Sequence, residues 1–320
     1  MLKHINLLRS GYSYLKSNIS GNASISGMPV SLGIELTNNC NLNCPECTSG
    51  SGALTRKRGY MEMDLFEKII NETGSYLYNI NLYFQGESML HPQLFSFLGK
   101  ITHIHTVLST NGHFLSWENS EELVKSGLNQ LIVSLDGMDQ DTYSEYRKKG
   151  NIDTVRRGIK NVADAKKKFR SQIELEIQFL VNRFNEKQIP EIIRYASELK
   201  VSLKLKSMQI INKENIIHWL PLEAKYGRYR QKDRDYEIKS PLHNKCMRLW
   251  FNPVVTWDGK VLPCCFDKDA EHVMGDLNLE SFREIWNGPK YKIFRERVLS
   301  GRRMIEICRN CTSGLKGVRY

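Results

Sequence analysis

This sequence of 320 residues lacks the features of secreted and membrane proteins. It has no run of about 18 apolar residues, so no membrane-spanning helix is predicted. The N-terminal stretch MLKHINLLRSGYSYLKSNIS has neither the uninterrupted apolar core nor the small-residue cleavage site of a secretory signal. Internal repeats and low-complexity tracts are also missing. These absences predict a cytoplasmic protein with no membrane partner.

The composition is that of a globular protein, with 41% hydrophobic, 10% aromatic and 25% charged residues, which is enough for one large core and a smaller unit. The formal net charge is +11. Its lysines and arginines are spread along predicted helices and do not form one patch with stacking aromatics, which disfavours nucleic acid as a partner. An acidic or phosphorylated substrate, or an acidic electron donor, is compatible with this charge.

From residue 31 onward, β-rich runs alternate with helical patterns. This alternation predicts an α/β fold, a partial (β/α)6 TIM-like barrel, because six units fall short of the eight in a closed barrel. Its chemistry is expected in the loops at the carboxyl ends of the strands. The predicted strands are 31–37, 78–84, 104–110, 130–135, 172–181 and 201–208. The predicted helices are 61–73, one beginning near Pro92, 116–127, 139–148, 152–168 and 186–200.

We predict four regions along the chain: an N-terminal arm (1–30), the barrel (31–210), a charged linker (211–245) and a small α+β unit (246–320). The arm spaces Leu2, Ile5 and Leu8 for an amphipathic helix, which we expect to pack on the barrel. In the last unit, 254–262 is predicted to be a hairpin turned by Asp258-Gly259.

Eight cysteines in a reducing compartment point to metal or redox chemistry, since disulfides are rare there. Cys40, Cys44 and Cys47 form a C-x3-C-x2-C cluster directly after the first strand. Three thiolates on one loop can hold three irons of a [4Fe–4S] cluster and leave the fourth iron open. The alternative is a zinc site completed by a distant cysteine.

The C-terminal unit carries Cys246, the pair Cys264 and Cys265, and a C-x2-C pair, Cys308 and Cys311. Four well-separated thiolates suit a fully ligated iron–sulfur cluster or a zinc site. A zinc-bearing basic nucleic-acid binder without catalysis is therefore an alternative to an iron–sulfur enzyme.

The motif CNLNCPEC, followed by FQGESMLHP, STNG and SLDG at successive strand ends, resembles the radical SAM superfamily. The resemblance implies that the open iron binds S-adenosyl-L-methionine (SAM). It assigns Gly86 and Glu87, with Gln85 in place of the usual glycine, to the methionine amino group. By the same resemblance, Ser134 would bind the ribose and Arg147 the methionine carboxylate. Glu46, through its backbone, and Met208 would contact the adenine.

The pattern C…WDGKVLPCC…C-x2-C looks like the SPASM or Twitch extensions of this superfamily. Because five cysteines are available, the resemblance implies one auxiliary [4Fe–4S] cluster. Its expected ligands are Cys246, Cys264, Cys308 and Cys311. Cys265 is left as a packed residue or as a hydrogen-atom donor, and ligation by Cys265 in place of Cys264 stays open.

The resemblance implies reductive cleavage of SAM to a 5′-deoxyadenosyl radical, with an electron donor such as flavodoxin or ferredoxin. Only about thirty residues precede the first strand, whereas peptide-modifying relatives usually carry an N-terminal leader-binding domain. We therefore expect oxidation of a small polar substrate, such as a sugar or an aminoglycoside-like alcohol. Peptide or protein maturation, of the sulfatase-maturing or peptide-crosslinking type, is the next alternative, and an epimerase using Cys265 is the third. Glu35, Gln178 and Lys204 or Lys206 are polar candidates for the barrel lining.

Overall fold

The computed structural model describes residues 1–311 and the backbone of residues 318 and 319, so the rest of the predicted 246–320 unit lies outside the described residues. Helices α1 to α11 are, in order, Leu2–Ser20, Met63–Thr73, Leu94–Lys100, Trp117–Lys125, Gln140–Tyr146, Ile152–Lys168, Ile189–Leu199, Ile216–Trp219, Arg248–Phe251, Phe282–Asn287 and Pro289–Gly301. Strands β1 to β12 are, in order, Ser31–Ile34, Asn79–Leu82, His105–Thr110, Gln130–Ser134, Glu174–Val181, Ser202–Ser207, Tyr229–Lys232, Asp235–Ile238, Val254–Val255, Lys260–Leu262, Gly275–Asp276 and Val318–Arg319.

Strands β1 to β6 pair in parallel and in sequence order. Helices connect them, as parallel pairing requires. Strand β4 is a run of buried apolar residues, Leu131, Ile132 and Val133, which is typical of a strand covered on both faces. Strands β2 and β6 instead alternate buried apolar residues with partly exposed polar ones. The predicted partial (β/α)6 barrel is confirmed, and its elements begin and end within a few residues of the predicted positions.

Helix α6 shows how local sequence sets these boundaries. Its buried residues include Ile152, Val155 and Ile159, which recur at helical spacing. Asn151 caps its N-terminus, where the side-chain oxygen accepts a hydrogen bond from the Thr154 N–H at 2.8 Å. The periodicity and the cap agree, and the observed helix matches the predicted 152–168.

The C-terminal unit continues the barrel sheet. Strand β9 pairs in parallel with β1, and β10 and β11 follow in antiparallel order. The predicted hairpin is confirmed, with Gly259 at φ +86° in its turn, a conformation that favours glycine. At the other edge, β12 pairs with β6. Buried residues of both units form one hydrophobic core.

The predicted linker has structure of its own. It contains α8 and the antiparallel pair β7-β8. Tyr229 of β7 is buried, and its hydroxyl accepts a hydrogen bond from the Ile210 N–H at 2.9 Å. This contact fixes the segment against the end of β6.

Helix α1 forms as predicted but packs through the opposite face. Its buried side chains are Asn6, Ser10, Ser13 and Ser17. Asn6 Oδ1 accepts from the Met28 N–H at 2.7 Å, and Ser10 Oγ donates to the Met28 carbonyl at 2.8 Å. The expectation that Leu2, Ile5 and Leu8 pack on the barrel was wrong, because these hydrogen bonds orient the helix with its apolar side outward.

Among the described residues, no helix combines the length and the hydropathy that crossing a bilayer requires.

Because the C-terminal strands extend the barrel sheet, a cavity created in this unit should destabilise the whole chain. Leu277 is fully buried, whereas Leu279 is 82% exposed. Leu277→Ala should lower the free energy of unfolding by about 2–5 kcal/mol, and Leu279→Ala by less than about 0.5 kcal/mol. Urea unfolding followed by circular dichroism and by tryptophan fluorescence measures both effects. If Leu277→Ala leaves the unfolding transition of the barrel unchanged, the two units fold independently.

Candidate functional site

A cavity of about 340 Å³ opens at the carboxyl ends of the parallel strands, where α/β folds place their ligands. Loops after β1, β2, β4 and β6 line it, together with β5 itself and with segments near β7 and after β10. Its charged and sulfur-bearing lining residues are Glu46, Cys47, Asp136, Arg147, Lys206, Arg228, Cys265 and Lys268. Both the barrel and the C-terminal unit therefore contribute to one cavity.

The loop after β1 brings Cys40, Cys44 and Cys47 within electrostatic range of one another. The Leu42 N–H donates to Cys40 Sγ at 3.5 Å, and Arg147 Nη1 donates to Cys44 Sγ at 3.8 Å. Donors and positive charge beside sulfur stabilise the thiolate, which is the form that binds metal.

Burial raises the pKa of the Cys44 thiol to about 11, and it also raises the pKa of Cys40. Metal binding must therefore displace protons from these thiols at neutral pH. The positive charge of Arg147 opposes the effect of burial on Cys44 and can balance a thiolate there.

A second set of thiols converges in the C-terminal unit: Cys246, Cys264, Cys308 and Cys311, all of them buried. Cys264 and Cys308 each lie within electrostatic range of both Cys246 and Cys311. Arg302 lies among them, with Nη2 donating to Cys311 Sγ at 3.3 Å. Burial raises the pKa of Cys308 to about 11, so here too an arginine supplies the compensating charge.

The thiol spacing is wider than a single zinc ion requires. Within residues 1–311, no three cysteine sulfurs all lie within 4.8 Å of one another. A tetrahedral zinc with Zn–S bonds of about 2.3 Å holds its sulfurs about 3.8 Å apart. Both donor sets therefore fit a larger iron–sulfur cluster better than a mononuclear zinc site.

The neighbours Cys264 and Cys265 have different surroundings. Cys264 is buried with the other C-terminal thiols, whereas Cys265 lines the cavity and accepts a hydrogen bond from Arg248 Nη1 at 3.5 Å. The structure thus brings Cys264 together with the C-terminal thiols and leaves Cys265 facing the cavity.

Gln85 and Gly86, on the loop after β2, line the cavity. Ser49 joins this loop to the cysteine loop, because its Oγ accepts from the Gly86 N–H at 3.1 Å and contacts Gln85 Oε1 at 3.2 Å. The glutamine that replaces the usual glycine is thereby fixed at the cavity wall.

Glu87 lies behind this loop and is not among the residues that line the cavity. Its carboxylate accepts hydrogen bonds from the N–H groups of Asn111 at 2.6 Å and Met89 at 3.0 Å. Burial raises the pKa of this carboxyl group. In this structure the Glu87 side chain holds the ends of two neighbouring strands together.

Ser134 and Arg147 both line the cavity. Arg147 Nε donates to Asp136 Oδ2 at 2.6 Å, while Asp136 Oδ1 accepts from the Leu180 N–H at 2.6 Å. The carboxylate thus fixes the guanidinium at the wall between the cysteine loop and the end of β5.

Glu46 and Met208 stabilise the segment that follows β6. The Glu46 carboxylate accepts from the Ile211 N–H at 2.6 Å and from Asn215 Nδ2 at 2.7 Å. Met208 packs with Leu42 in a buried cluster and is not among the lining residues. The carboxylate of Glu46 is therefore occupied by protein groups, although the residue borders the cavity.

Of the polar positions predicted to line the barrel, Gln178 and Lys206 do so, and Lys204 is not among the lining residues. Glu35 is instead buried, with its carboxylate accepting from Arg56 Nη1 at 2.6 Å. Burial raises the pKa of Glu35 even though this arginine lowers it.

Sequence reasoning missed Tyr83, Arg228 and Lys268 in the cavity wall and Arg248 and Arg302 beside the thiols. Arg228 belongs to the charged stretch that was predicted to be a linker (211–245). Lys268 follows the cysteine pair by three residues, which is the one signal that could have indicated it.

Two family models match the chain. The model of the radical SAM superfamily matches residues 34–201, more than half of the chain, and that of the SPASM iron–sulfur cluster-binding domain matches residues 246–312. These matches favour an iron–sulfur enzyme over the zinc-bearing nucleic-acid binder.

Among curated proteins, the chain is similar to an AdoMet-dependent heme synthase of Methanosarcina barkeri, with 25% identity over 82% of each chain. It is also similar to the S-adenosyl-L-methionine-dependent 2-deoxy-scyllo-inosamine dehydrogenase of Niallia circulans, with 23% identity over 88% of this chain and 91% of the relative.

Among solved structures, BtrN in complex with AdoMet and 2-DOIA aligns with a TM-score of 0.56 and 21% identity, covering 90% of this chain and 94% of that one. Streptococcus suis SuiB bound to S-adenosylmethionine aligns with a TM-score of 0.65 and 15% identity, covering 95% and 76%. At these identities the likeness concerns the fold.

Gly86 allows the close approach of the β2 and β1 loops. Its φ is +77°, and a Cβ there would lie 2.6 Å from the carbonyl oxygens of Thr37 and Asn39. Gly86→Ala should therefore destabilise the protein, by about 1–3 kcal/mol from backbone strain alone. Gly99→Ala in α3 is the matched control, because its new Cβ would have no atom within 4 Å, and it should be neutral or stabilising by up to about 1 kcal/mol. Calorimetric melting of both variants measures the difference, and equal melting temperatures would contradict the expectation.

Proposed function

The chain belongs to the radical SAM superfamily, and from this premise we propose that it oxidises a small polar substrate by two electrons. Its cofactors are SAM with a [4Fe–4S] cluster, together with auxiliary iron–sulfur chemistry in the SPASM domain.

One observation carries the proposal: the cavity lies between the two sets of thiols. Cys47 of the first set lines it, and so does Cys265, the direct neighbour of Cys264 in the second set. A substrate in this cavity would be close to both sets. Such an arrangement suits a reaction that begins at one set and delivers an electron to the other.

We assign the first cluster to Cys40, Cys44 and Cys47, and the auxiliary cluster to Cys246, Cys264, Cys308 and Cys311. When bound, SAM and the first cluster would supply hydrogen-atom abstraction from the substrate, and the auxiliary cluster would supply an acceptor for the second electron, with the proton passing to a base.

On the first side of the cavity, Gln85, Gly86, Ser134 and Arg147 are positioned to bind the polar groups of SAM. The Asp136 carboxylate orients Arg147 through its Nε and leaves other guanidinium donors for the methionine carboxylate. Tyr146 is buried beside Arg147 and helps to exclude water from this end. Exclusion of water protects a reactive intermediate from side reactions.

On the side of the C-terminal thiols, Arg302 and Arg248 favour acceptance of an electron by the auxiliary cluster. Arg302 donates to Cys311 Sγ, and Arg248 lies within electrostatic range of Cys264, Cys246 and Cys311. Hydrogen bonds and positive charge at cluster sulfurs stabilise the reduced state and raise the reduction potential. This environment supports net oxidation of the substrate as the leading proposal.

The small-substrate proposal is supported by the similarity to a dehydrogenase of 2-deoxy-scyllo-inosamine, which spans most of both chains. Peptide modification is the alternative, since a related structure is that of SuiB bound to its precursor peptide SuiA.

The position of Cys265 supports a second candidate function. Its sulfur faces the cavity, where it could give a hydrogen atom to the opposite face of a substrate. The protein would then be a radical epimerase, and no net electrons would leave the substrate.

Matched cysteine variants test these assignments. The protein with two [4Fe–4S] clusters should contain about eight irons. Cys264→Ala should retain about four, whereas Cys265→Ala should retain about eight. With SAM and dithionite, both variants should still release 5′-deoxyadenosine, while Cys44→Ala should release none. Iron and sulfide analysis and chromatography of the nucleoside provide the measurements.

The fate of the substrate separates oxidation from epimerisation. Deuterated candidate alcohols that transfer deuterium into 5′-deoxyadenosine are identified as substrates. If the proposal is correct, the oxidised product requires Cys264 and forms without Cys265. A product that requires Cys265 and gains one deuterium from heavy water would identify the epimerase instead, and nucleoside release by Cys44→Ala would overturn both.

A further inference from the structure

Three cationic side chains line the part of the cavity next to β6 and the C-terminal unit: Lys206, Arg228 and Lys268. Within the described residues, none of them has a carboxylate oxygen within 4.0 Å of its nitrogens. Each lies within electrostatic range of at least one of the others. The cavity therefore contains a cluster of like charges.

Arg228 is built into the wall. Its Nη1 donates to the Asn310 carbonyl at 3.3 Å and its Nη2 to the Ser207 carbonyl at 3.2 Å. The residue is only 6% exposed, and its Nε has no hydrogen-bond partner among residues 1–311. A buried donor without a partner is costly, so this position is suited to a ligand that can accept.

The acidic residues of the cavity are already occupied. Glu46 accepts from the segment after β6, and Asp136 is paired with Arg147. Glu176, whose charge acts on Lys206, is engaged by Gln178 Nε2 at 3.0 Å. Glu46 and Glu176 keep their negative charge and act on Lys268 and Lys206, respectively, but within the described residues none of the three cations has a carboxylate in direct ion-pair contact.

Burial lowers the pKa of both lysines. The charges of Lys204 and then of Arg228 lower the pKa of Lys206 further, and the charge of Arg228 also lowers the pKa of Lys268. A protonated amine in the cavity would add to this repulsion, whereas an anion would relieve it.

We propose that the substrate carries a negatively charged group, a phosphate or a carboxylate, and that Lys206, Arg228 and Lys268 bind it. This inference rests on the proposed function, in which the cavity holds the substrate. It narrows the substrate class to acidic or phosphorylated alcohols and disfavours amino sugars. The residues assigned to SAM lie on the loops after β2 and β4, whereas these cations come from β6, the linker and the C-terminal unit.

Binding of small probes to the cluster-loaded, SAM-loaded protein tests this. The probes are inorganic phosphate, glycolate, ethylene glycol and ethanolamine, of which the last three differ mainly in charge. Calorimetric titration should show saturable binding of phosphate or glycolate, and weaker or undetectable binding of ethylene glycol and ethanolamine. Lys206→Met and Lys268→Met should each weaken anion binding about tenfold or more. Lys204→Met, on the same strand but not among the lining residues, should leave it unchanged.

The affinity for SAM and the release of 5′-deoxyadenosine are measured on the same proteins. Anion binding that requires Lys206 and Lys268, with SAM affinity unchanged, supports the proposal, and the preferred probe tells phosphate from carboxylate. Absence of anion binding, equal loss in Lys204→Met, or loss of SAM affinity in the lysine variants would overturn it. Failure of the proposed function would be seen separately, as absence of SAM cleavage in the unmodified protein.

A second, independent observation concerns helix α1. Its outward face carries Ile5, Leu8, Tyr12, Leu15 and Ile19, which are between 39% and 87% exposed. They recur at alternating steps of three and four residues and so form one continuous apolar stripe. Contiguous exposed apolar surface of this kind marks an interaction site.

The charges beside the stripe distinguish between possible partners. Arg9 and Lys16 flank the stripe on α1, Lys3 lies nearer the buried face of the helix, and the first acidic residue of the sequence is Glu35. A second copy of the helix would bring the same three positive charges. An anionic lipid surface offers the complementary charge, and helices with an apolar face and flanking cations lie in the bilayer interface.

We infer that α1 docks on the surface of anionic membranes, with its stripe in the interface and its serine-rich face on the protein. The full protein should sediment with vesicles of phosphatidylcholine and phosphatidylglycerol, and much less with phosphatidylcholine alone. A double variant, Leu8→Asn with Leu15→Asn, should reduce binding about tenfold or more. Leu279→Asn, an exposed leucine elsewhere, is the control and should bind normally.

Two results would overturn this docking. One is the absence of sedimentation with anionic vesicles. The other is a dimer in analytical ultracentrifugation that the Leu8→Asn, Leu15→Asn variant abolishes, because a second copy would then cover the stripe.

Discussion

The site depends on one contact, the parallel pairing of β9 with β1. Gly33 and Ile34 lie in register with Val254 and Val255. Strand β1 leads into the loop of the first thiol set, and β9 leads through the Gly259 turn to the cysteine pair. Because β10 runs back antiparallel to β9, the cysteine pair that follows β10 returns toward the amino-terminal end of β1. The pairing therefore places the two thiol sets on either side of the cavity that Cys47 and Cys265 line. A slip of one residue would turn the side chains of β9 to the other face and remove one wall of the cavity.

Charge compensation is the second constraint. Burial makes thiols harder to ionise, and the thiols of both sets are buried or partly buried beside arginines from other parts of the chain. Arg147 serves the first set, and Arg302 serves the second. The protein thus prepares two cationic environments for anionic metal centres. The cavity between them differs, because Lys206, Arg228 and Lys268 line it without a direct carboxylate partner among the described residues.

The sequence predicted the barrel well because its signals are local. Periodicity and caps sufficed for a helix such as α6, and cysteine spacing identified both thiol sets. Prediction from the sequence failed where tertiary contacts determine the orientation of an element or a side chain. The orientation of α1 follows from hydrogen bonds between Asn6 and Ser10 and the distant Met28, and no periodicity encodes them. The sequence likewise contains no signal that Arg228, which lies in the predicted charged linker, forms part of the cavity wall. Nor could it show that Cys264 and Cys265 face different surroundings.

The walls of the cavity have separate origins along the chain. Residues suited to the nucleotide come from short loops of the barrel, whereas Arg228 and Lys268 come from the linker and the C-terminal unit. Under the proposed assignments, selectivity and radical generation are encoded in different stretches of sequence. Substitution of a few residues around positions 228 and 268 would then change the class of substrate that the cavity binds, while the residues that bind SAM and form the radical stay the same.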